Sequence, residues 1–132
     1  MSSVTIKRMV DIEETIRAAL ADYLTVYVRP LPATLTLPSI EITSVGGSEK
    51  DDIDSFDVMI DARAEDEETA MNYLRNAVGL IEHIAESQTT DLRYAAINAL
   101  SSWGRDPVRP DLAMCTARIR AIAHKEKVNL EV

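Results

Sequence analysis

The chain has 132 residues, a length typical of one domain, and 46% of them are hydrophobic, which is enough for a sizeable core. Only 5% are aromatic, so that core must be built from aliphatic side chains. The net charge of −8 argues against a general nucleic-acid binder or a protein that binds anionic membranes, because both need clustered Lys and Arg.

The N-terminal segment MSSVTIKRMVDIEETI lacks the apolar region and the cleavage site of a secretion signal. No apolar run approaches the roughly 18–20 residues that a membrane-spanning helix requires. We therefore expect a protein that is made in the cytoplasm and contacts no membrane. The single cysteine, Cys115, cannot form an internal disulfide and lies in an alternating pattern, so we expect a small core residue.

The first predicted element is a helix over residues 11–24, whose apolar residues recur at helical spacing. Asp11 is the predicted N-cap, with Glu14 three residues later as its capping-box partner. Thr25 to Arg29 alternates and contains β-branched residues, which predicts a short strand. Residues 30–38 contain three prolines and are interpreted as an extended connection.

An acidic hairpin follows. Ser39 to Val45 is a predicted strand, and Gly46-Gly47 is expected to end it and to begin a loop that reaches Ile53. The next strand, Asp54 to Ala64, alternates between apolar and polar residues, which is typical of a half-exposed antiparallel strand. Its solvent-facing side is predicted to carry Asp57, Met59, Asp61 and Arg63. The stretch from Glu49 to Asp57 contains five acids and one lysine.

The C-terminal half begins with a long helix over residues 65–87, capped at or next to Asp66. A strand is predicted near 95–103, although its Ala and Leu content also suits a helix. The segment GRDPVRPD is a predicted loop. Leu112 to Lys125 then alternates over a long stretch, so we expect the longest strand, central or near-central in the sheet, with Arg118 and Arg120 facing outward.

The element order α-β-β-β-α-β-β predicts a single domain over residues 1–132. Its expected fold is α+β, with two layers: a mostly antiparallel sheet of four to five strands and two covering helices.

No catalytic motif is present. His83 and His124 are isolated, and no nucleophile, phosphate-binding or metalloprotease signature occurs. Asp52 and Asp54 alternate as in calcium loops, but the glycines precede them and the flanking segments are strands. We therefore expect no enzyme activity, no cofactor and no metal.

Surface charges suggest two interpretations of the strand faces. Asp57, Asp61 and Arg63 on one strand, with Arg118 and Arg120 on the last, could register neighbouring copies in a ring. They could equally form cross-strand pairs within one chain. The loop after Trp103 is a second candidate contact, because an aromatic beside Arg105 and Arg109 is a common interface composition. The alternative is that Trp103 covers the edge of the core.

Three stretches together resemble a known family. They are LPSIEITSVGGS (Leu37 to Ser48), the following FDVMIDARAEDEETA, and the late strand TARIRA in the segment that begins WGRDPVRPD. The chain resembles, over roughly residues 10–125, the tail terminator (tail completion) proteins of long-tailed, non-contractile bacteriophages, especially those of actinobacterial hosts. None of these stretches is a catalytic signature, so the match is one of pattern and layout.

The resemblance implies a structural virion protein of the tail–neck region, assembled in the host cytoplasm. Tail terminators are α+β domains that form a six-fold ring, cap the head-proximal end of the tail tube, stop its growth and present a surface to the head-completion protein. DNA passes through the bore. An alternative is another head–tail connector or neck protein of the same phages, such as a head-completion or stopper protein.

The resemblance also gives the acidic hairpin a predicted role. Its residues contact a neighbouring subunit or the tube protein, or border the bore, where acids would keep DNA phosphates from sticking. The alternative is that the hairpin is a mobile, solvated loop with no contact role. The candidate contact residues of the hairpin are Gly46, Gly47, Ser48, Glu49, Lys50, Asp51, Asp52 and Asp54.

Overall fold

The computed structural model of the chain describes residues 2–100 and 104–131. Within these ranges it contains two helices and eight strands. In chain order they are β1 (Ser3–Arg8), α1 (Ile12–Leu20), β2 (Val26–Tyr27), β3 (Ser39–Lys50), β4 (Ile53–Ala64), α2 (Glu67–Ser87), β5 (Leu92–Leu100), β6 (Gly104–Arg105), β7 (Ala113–His124) and β8 (Glu126–Glu131).

The main sheet has six strands. Its path is β2-β3-β4-β7-β5, and the short strand β6 also pairs with β7. β3, β4, β7 and β5 are antiparallel neighbours, whereas β2 runs parallel to β3. Both helices contact this sheet and each other. The predicted two-layer α+β fold, with its mostly antiparallel sheet and two helices, is therefore confirmed, and β7 has the predicted near-central position.

The core lies between the helices and the sheet and is aliphatic, as the composition predicts. On β4 and β7 the apolar residues alternate with polar ones, and the apolar side faces the helices. The buried residues of these two strands include Phe56, Val58, Ile60, Ala62 and Ala64 from β4 and Ala113, Cys115, Ala117, Ile119, Ala121 and Ala123 from β7. Cys115 is thus a core residue, as predicted.

Both helices begin at the predicted caps. The side chain of Asp11 accepts a hydrogen bond of 3.2 Å from the amide of Glu14, and Asp66 accepts one of 2.8 Å from the amide of Thr69. Such caps satisfy amide groups that have no partner inside the helix. The first helix ends at Leu20, before the predicted end at residue 24.

Two predicted strands are shifted or shorter. β5 spans Leu92–Leu100, three residues earlier than the predicted 95–103, and residues 101–103 lie outside the described part of the chain. β2 contains only Val26 and Tyr27, because it pairs with β3 at only those two positions.

The prediction that Gly46-Gly47 ends a strand is wrong. β3 continues through both glycines to Lys50, and its pairing register with β4 shifts between Ser44 and Gly46. This is a β-bulge, in which one extra residue is accommodated by a glycine with positive φ, here +146° at Gly46. The turn itself is shorter than predicted and consists of Asp51 and Asp52.

The first and last strands form a separate two-stranded ribbon that was not predicted. β1 and β8 are antiparallel and pair over their whole length, from Ser3 opposite Glu131 to Arg8 opposite Glu126. This element (β1 and β8) is called the ribbon below.

Candidate functional site: the open sheet face and the hairpin tip

The face of the main sheet opposite the helices is the open face. Within the described ranges no helix covers it. Side chains of the central strands on this face include Glu41 and Thr43 from β3, Asp57, Met59, Asp61 and Arg63 from β4, and Met114, Thr116, Arg118 and Arg120 from β7. Most of the strand residues predicted as contacts therefore share one face, which the sequence alternation predicted.

Asp61 and Arg63 were predicted to face the solvent. The part of the open face that holds them is instead a buried charge cluster. Arg63 donates to Glu41 at 2.8 Å and to Asp106 at 2.6 Å. The side chains of Glu41 and Asp106 are only 2% and 3% exposed, and that of Arg63 is 11% exposed. Arg29 adds a second cation at 2.9 Å from Glu41. The prediction that Asp61 and Arg63 face the solvent is therefore wrong.

Burial and hydrogen bonds shift the pKa values of this cluster in opposite directions. Burial by itself would raise the pKa of Asp106, but hydrogen bonds from the Val108 amide and from Arg63 outweigh it and hold that pKa below its usual value. Burial likewise disfavours the Arg63 guanidinium, yet its two carboxylate partners raise its pKa. Burial raises the pKa of Asp61, despite a hydrogen bond of 2.6 Å from the Thr116 hydroxyl.

The cluster fastens two loops to the sheet. Asp106 belongs to the segment between β6 and β7, and its other carboxylate oxygen accepts the Val108 amide at 3.0 Å. Arg109, in the same segment, donates to the carbonyl of Pro32 at 3.2 Å. A cavity of about 340 Å³ lies between these loops, and Arg29, Val108 and Arg109 are among its lining residues. The predicted contact loop is thus a fixed feature of the sheet end.

The members of that predicted contact loop differ in accessibility. Arg105 is exposed on β6, whereas Arg109 is half-buried. Trp103 lies outside the described residues, so both interpretations of its role remain predictions.

The middle of the open face is accessible and carries one cross-strand ion pair. Asp57 is opposite Arg120, and their side chains are 3.8 Å apart within one chain. This is the cross-strand pairing that one of the two interpretations predicts. Arg118 is exposed and lies opposite Met59. Arg118, Arg120 and Met59 are therefore open-face residues that a partner can reach.

The hairpin tip, from Glu49 to Asp54, is largely neutralised. Lys125 lies 2.7 Å from Asp54 and 3.5 Å from Glu49, and Lys7 of the ribbon lies 3.2 Å from Asp52. Together with the Asp57–Arg120 pair, four of the five acids between Glu49 and Asp57 have a cation within ion-pair distance. The tip is therefore a poor source of negative potential.

Asp54 differs most from its prediction. Its side chain is 1% exposed, and Lys125, 8% exposed, supplies the cation. The hydrogen bond from Lys125 to Asp54 raises the pKa of Lys125. The other carboxylate oxygen of Asp54 has no hydrogen-bond partner among the described residues. Asp54 is thus a structural residue at the end of the core, although the sequence analysis made it a candidate contact residue of the hairpin.

Gly46 and Gly47 have structural reasons of their own. A Cβ on Gly47 would lie 2.5 Å from the carbonyl oxygen of Ser55, so the neighbouring strand leaves no room for a side chain. Gly46 needs its positive φ for the bulge. Ser48 and Lys50 are exposed on the hairpin, as a contact role requires.

The sequence contained signals for some of the features that were missed. Val4 and Ile6 alternate with polar residues, as do Val128 and Leu130, which is the pattern of a strand. The burial of Glu41 had no such signal, because its partners Arg29 and Arg63 lie 12 and 22 residues away along the chain.

The described residues were also compared with the requirements of metal sites and membrane spans, and the chain was compared with known proteins. The described residues contain no group of three or more His, Cys, Asp and Glu side chains placed to hold a metal. Neither α1 nor α2 is long and apolar enough to cross a membrane. No protein-family model and no curated protein matches the chain. Its functional interpretation therefore depends on its own sequence pattern and geometry.

Proposed function

We propose that this chain is a structural virion protein, the tail terminator of a long-tailed, non-contractile bacteriophage. It forms a ring, six-fold by the resemblance, that caps the head-proximal end of the tail tube, stops polymerisation and meets the head-completion protein. The observation that supports the proposal most directly is the agreement between sequence resemblance and fold. The sequence pattern implies an α+β domain that assembles through its surfaces, and the chain folds as an α+β domain with an open sheet face.

The accessible residues of that face support an assembly role. Arg118, Arg120 and Met59 combine charged and apolar groups, a composition that suits a protein interface. The buried cluster around Arg63 fixes the loops at one end, so this face is rigid before a partner arrives, which lowers the entropic cost of binding. The proposal includes no catalytic step and no cofactor.

The net charge of −8 fits a ring through which DNA passes without sticking. The ion pairs of the hairpin tip weaken the idea that its acids line the bore. A direct contact of the tip with a neighbouring subunit or with the tube protein is the version of the prediction that we retain.

The decisive experiment is electron microscopy of the tube protein polymerised with and without this chain. We expect tubes of limited length with a ring at one end when the chain is present. Tubes of unlimited length without a ring would contradict the proposal and favour another neck protein, one that binds the head side.

The same assay tests the open face. The double variant Arg118→Gln/Arg120→Gln should cap tubes poorly, because it removes two exposed cations from the middle of that face. Arg17→Gln is the matched control, since Arg17 lies on α1 and pairs with Glu14 of the same helix. Equal capping by both variants would show that the open face does not contact the tube.

The hairpin tip is tested with Asp51→Asn/Asp52→Asn. Asp54 is left unchanged, because neutralising this buried residue would disturb the fold through Lys125. Loss of capping with an unchanged melting temperature is the expected result. Normal capping would remove the tip from the interface.

A further inference from the structure

A cavity lies beside the buried charge cluster, between the segment that follows β2 and the segment that joins β6 to β7. This loop cavity has a volume of about 340 Å³, at the lower end of the roughly 300–1,000 Å³ that is typical of small-ligand sites. It can hold one side chain or one chain end of a partner. Its lining consists of Arg29, Pro30, Leu31, Glu41, Arg63, Asp106, Val108 and Arg109.

The lining of the loop cavity carries an excess of positive charge. It contains three arginines and two carboxylates, whereas the whole chain has a net charge of −8. Arg63 is occupied internally, because it donates to both Glu41 and Asp106. The excess charge therefore lies on Arg29 and Arg109.

Arg109 is the cation without an anionic partner. Within the described ranges its side chain donates to the carbonyl of Pro32 at 3.2 Å, and no carboxylate lies within ion-pair distance of it. Two further acids do not line the cavity: Asp61 accepts a hydrogen bond from Thr116, and Asp111 is exposed to solvent. Since Arg109 is half-buried, its charge is partly removed from water without an anion to compensate it.

Arg29 has donor groups that its internal partner does not use. Its Nε donates to Glu41 at 2.9 Å, and its side chain is 68% exposed. A guanidinium group carries five N–H donors in a planar fork. The two terminal nitrogens of Arg29 are therefore available to an anion that enters from outside.

Hydrogen bonds hold the loop cavity in shape before a ligand arrives. Asp106 accepts from the Val108 amide at 3.0 Å and from Arg63 at 2.6 Å. The Asp106 amide donates to the carbonyl of Leu112 at 3.1 Å, and the Leu112 amide donates to the carbonyl of Arg109 at 2.9 Å. A site that is formed in advance loses little conformational entropy when it binds.

We propose that the loop cavity binds a carboxylate of a protein partner, held by the guanidinium groups of Arg29 and Arg109. The carboxylate belongs to an Asp or Glu side chain or to a chain end. Charge-assisted hydrogen bonds between guanidinium and carboxylate groups are short and strong. The apolar part of the lining, Pro30, Leu31 and Val108, suits the carbon stem that joins a carboxylate to its chain, and Val108 is 84% exposed.

Charge favours a protein carboxylate over the phosphates of a nucleic acid. One excess positive charge suits a single carboxylate, whereas a duplex is bound by clusters of Lys and Arg. The net charge of −8 also repels a polyanion as a whole. The inference goes beyond the proposed function and does not depend on it, because it concerns a site on the free chain.

The test is an NMR titration of the isotope-labelled chain with the peptide acetyl-Ala-Glu-amide, whose one charge is a side-chain carboxylate. We expect saturable shifts at the backbone amides of Leu31, Val108 and Arg109. The neutral peptide acetyl-Ala-Gln-amide should bind at least about tenfold more weakly. Equal affinity for the two peptides, or no saturation up to about 20 mM of the acidic one, would overturn the inference.

Two further probes identify the source of the anion. Acetyl-Ala-Leu with a free C-terminal carboxylate represents a chain end, and acetyl-Ala-Glu-amide represents a side chain. Tighter binding of either one supports the carboxylate site and names its source. Inorganic phosphate that binds at least about tenfold tighter than both peptides would overturn the proposal in favour of a phosphate site.

Substitutions test the two arginines. Arg109→Gln retains a donor for the Pro32 carbonyl, so we expect its melting temperature to change by only a few degrees while its affinity for acetyl-Ala-Glu-amide falls at least about tenfold. Arg29→Gln should act in the same direction, and Glu41 keeps Arg63 in this variant.

The matched control is Arg75→Gln. It removes one exposed cation from α2 that does not line the loop cavity, so the affinity for acetyl-Ala-Glu-amide should stay unchanged. Equal affinities in Arg109→Gln, Arg29→Gln and Arg75→Gln would overturn the inference. A lower melting temperature without a loss of affinity would also overturn it, because it would show that the two arginines serve only to fasten the loops.

These titrations use the chain without tube protein. Their failure would remove the carboxylate site but leave the tube-length result unaffected, so the two proposals fail separately.

Discussion

Replacing Arg63 with Met removes the cation that holds two buried carboxylates. The Arg63→Met variant keeps the length and the apolar stem of the side chain but loses the hydrogen bonds of 2.8 Å to Glu41 and 2.6 Å to Asp106. Asp106 then keeps no cation within ion-pair distance among the described residues, and Glu41 keeps only Arg29, whose side chain is 68% exposed.

The expected loss of stability is large. Removing one partner of a buried ion pair typically costs about 3–5 kcal/mol, because an uncompensated charge stays buried. For a domain of this length such a loss lowers the melting temperature by roughly 10–18 °C. The matched control is Arg120→Met on the same sheet face. Its pair with Asp57 is exposed and 3.8 Å apart, so the expected cost is only about 0–1 kcal/mol.

The assay is urea unfolding followed by circular dichroism, with the same slope required for both variants so that the midpoints report stability. Glu41→Gln/Arg63→Met/Asp106→Asn serves as a rescue variant, because it removes both buried carboxylate charges together with the cation. We expect it to be more stable than Arg63→Met alone. A loss below about 1 kcal/mol in Arg63→Met, or one equal to that of Arg120→Met, would refute the reasoning.

The same variant has a predicted pH dependence. The folded-state pKa of Asp106 is lowered, so this residue contributes stability that is present above its unfolded-state pKa of about 3.9 and is lost as the pH falls through the folded-state value. Asp61 has the opposite sign, because its raised pKa favours the protonated folded state as the pH falls. In Arg63→Met the pKa of Asp106 rises, so its contribution is lost at a higher pH than in the native chain. An unchanged acid-unfolding profile would contradict this.

Three further predictions concern single positions. Lys125→Met should lower the urea midpoint far more than Lys127→Met, because Lys125 neutralises buried Asp54 and Lys127 is exposed; equal midpoints would contradict the ion-pair argument. Gly79→Ala should raise stability by about 0.5–1 kcal/mol in thermal unfolding, since Gly is unfavourable inside a helix and the position is open; a decrease would mean that the surroundings of Gly79 do not accommodate a Cβ. Gly47→Ala should lower stability by about 1–3 kcal/mol, because its Cβ overlaps a strand carbonyl, and a neutral result would show that the hairpin moves freely.

The sequence predicted the elements whose patterns are long and local. The alternation along β4 and β7 and the helical spacing of α2 identified the core, since each pattern extends over 12 residues or more. Both helix caps were also predicted, because a cap depends on residues only three positions apart.

Features that depend on distant residues were not predicted. Glu41 alternates like a surface residue, yet it is buried because Arg63 and Arg29 supply charges from other elements. The ribbon requires the pairing of strands from opposite ends of the chain, and six-residue patterns at Ser3 and Glu126 do not specify that pairing by themselves.

Turn chemistry accounts for the error in the hairpin. A Gly-Gly pair commonly marks a turn, and here it accommodates a bulge within a strand that continues to Lys50. The turn residue Asp51 adopts a positive φ of 41°, which Asp tolerates better than most residues. The glycine pair therefore correctly indicated a turn near this point. The turn was predicted to begin at Gly46, whereas it lies at Asp51 and Asp52.

Because the hairpin tip is linked to the ribbon by the Lys7–Asp52 pair, a loss of capping in the tip variant would have two possible causes. If Asp51→Asn/Asp52→Asn abolishes capping, the tip either contacts the tube directly or acts by holding the ribbon through Lys7. Lys7→Gln separates these causes, because it breaks the Lys7–Asp52 pair and leaves the acids of the tip intact. The pair is exposed, 54% for Lys7 and 74% for Asp52, and exposed pairs contribute little, so we expect Lys7→Gln to cap tubes normally. Loss of capping in Lys7→Gln would instead show that the tip acts through the ribbon.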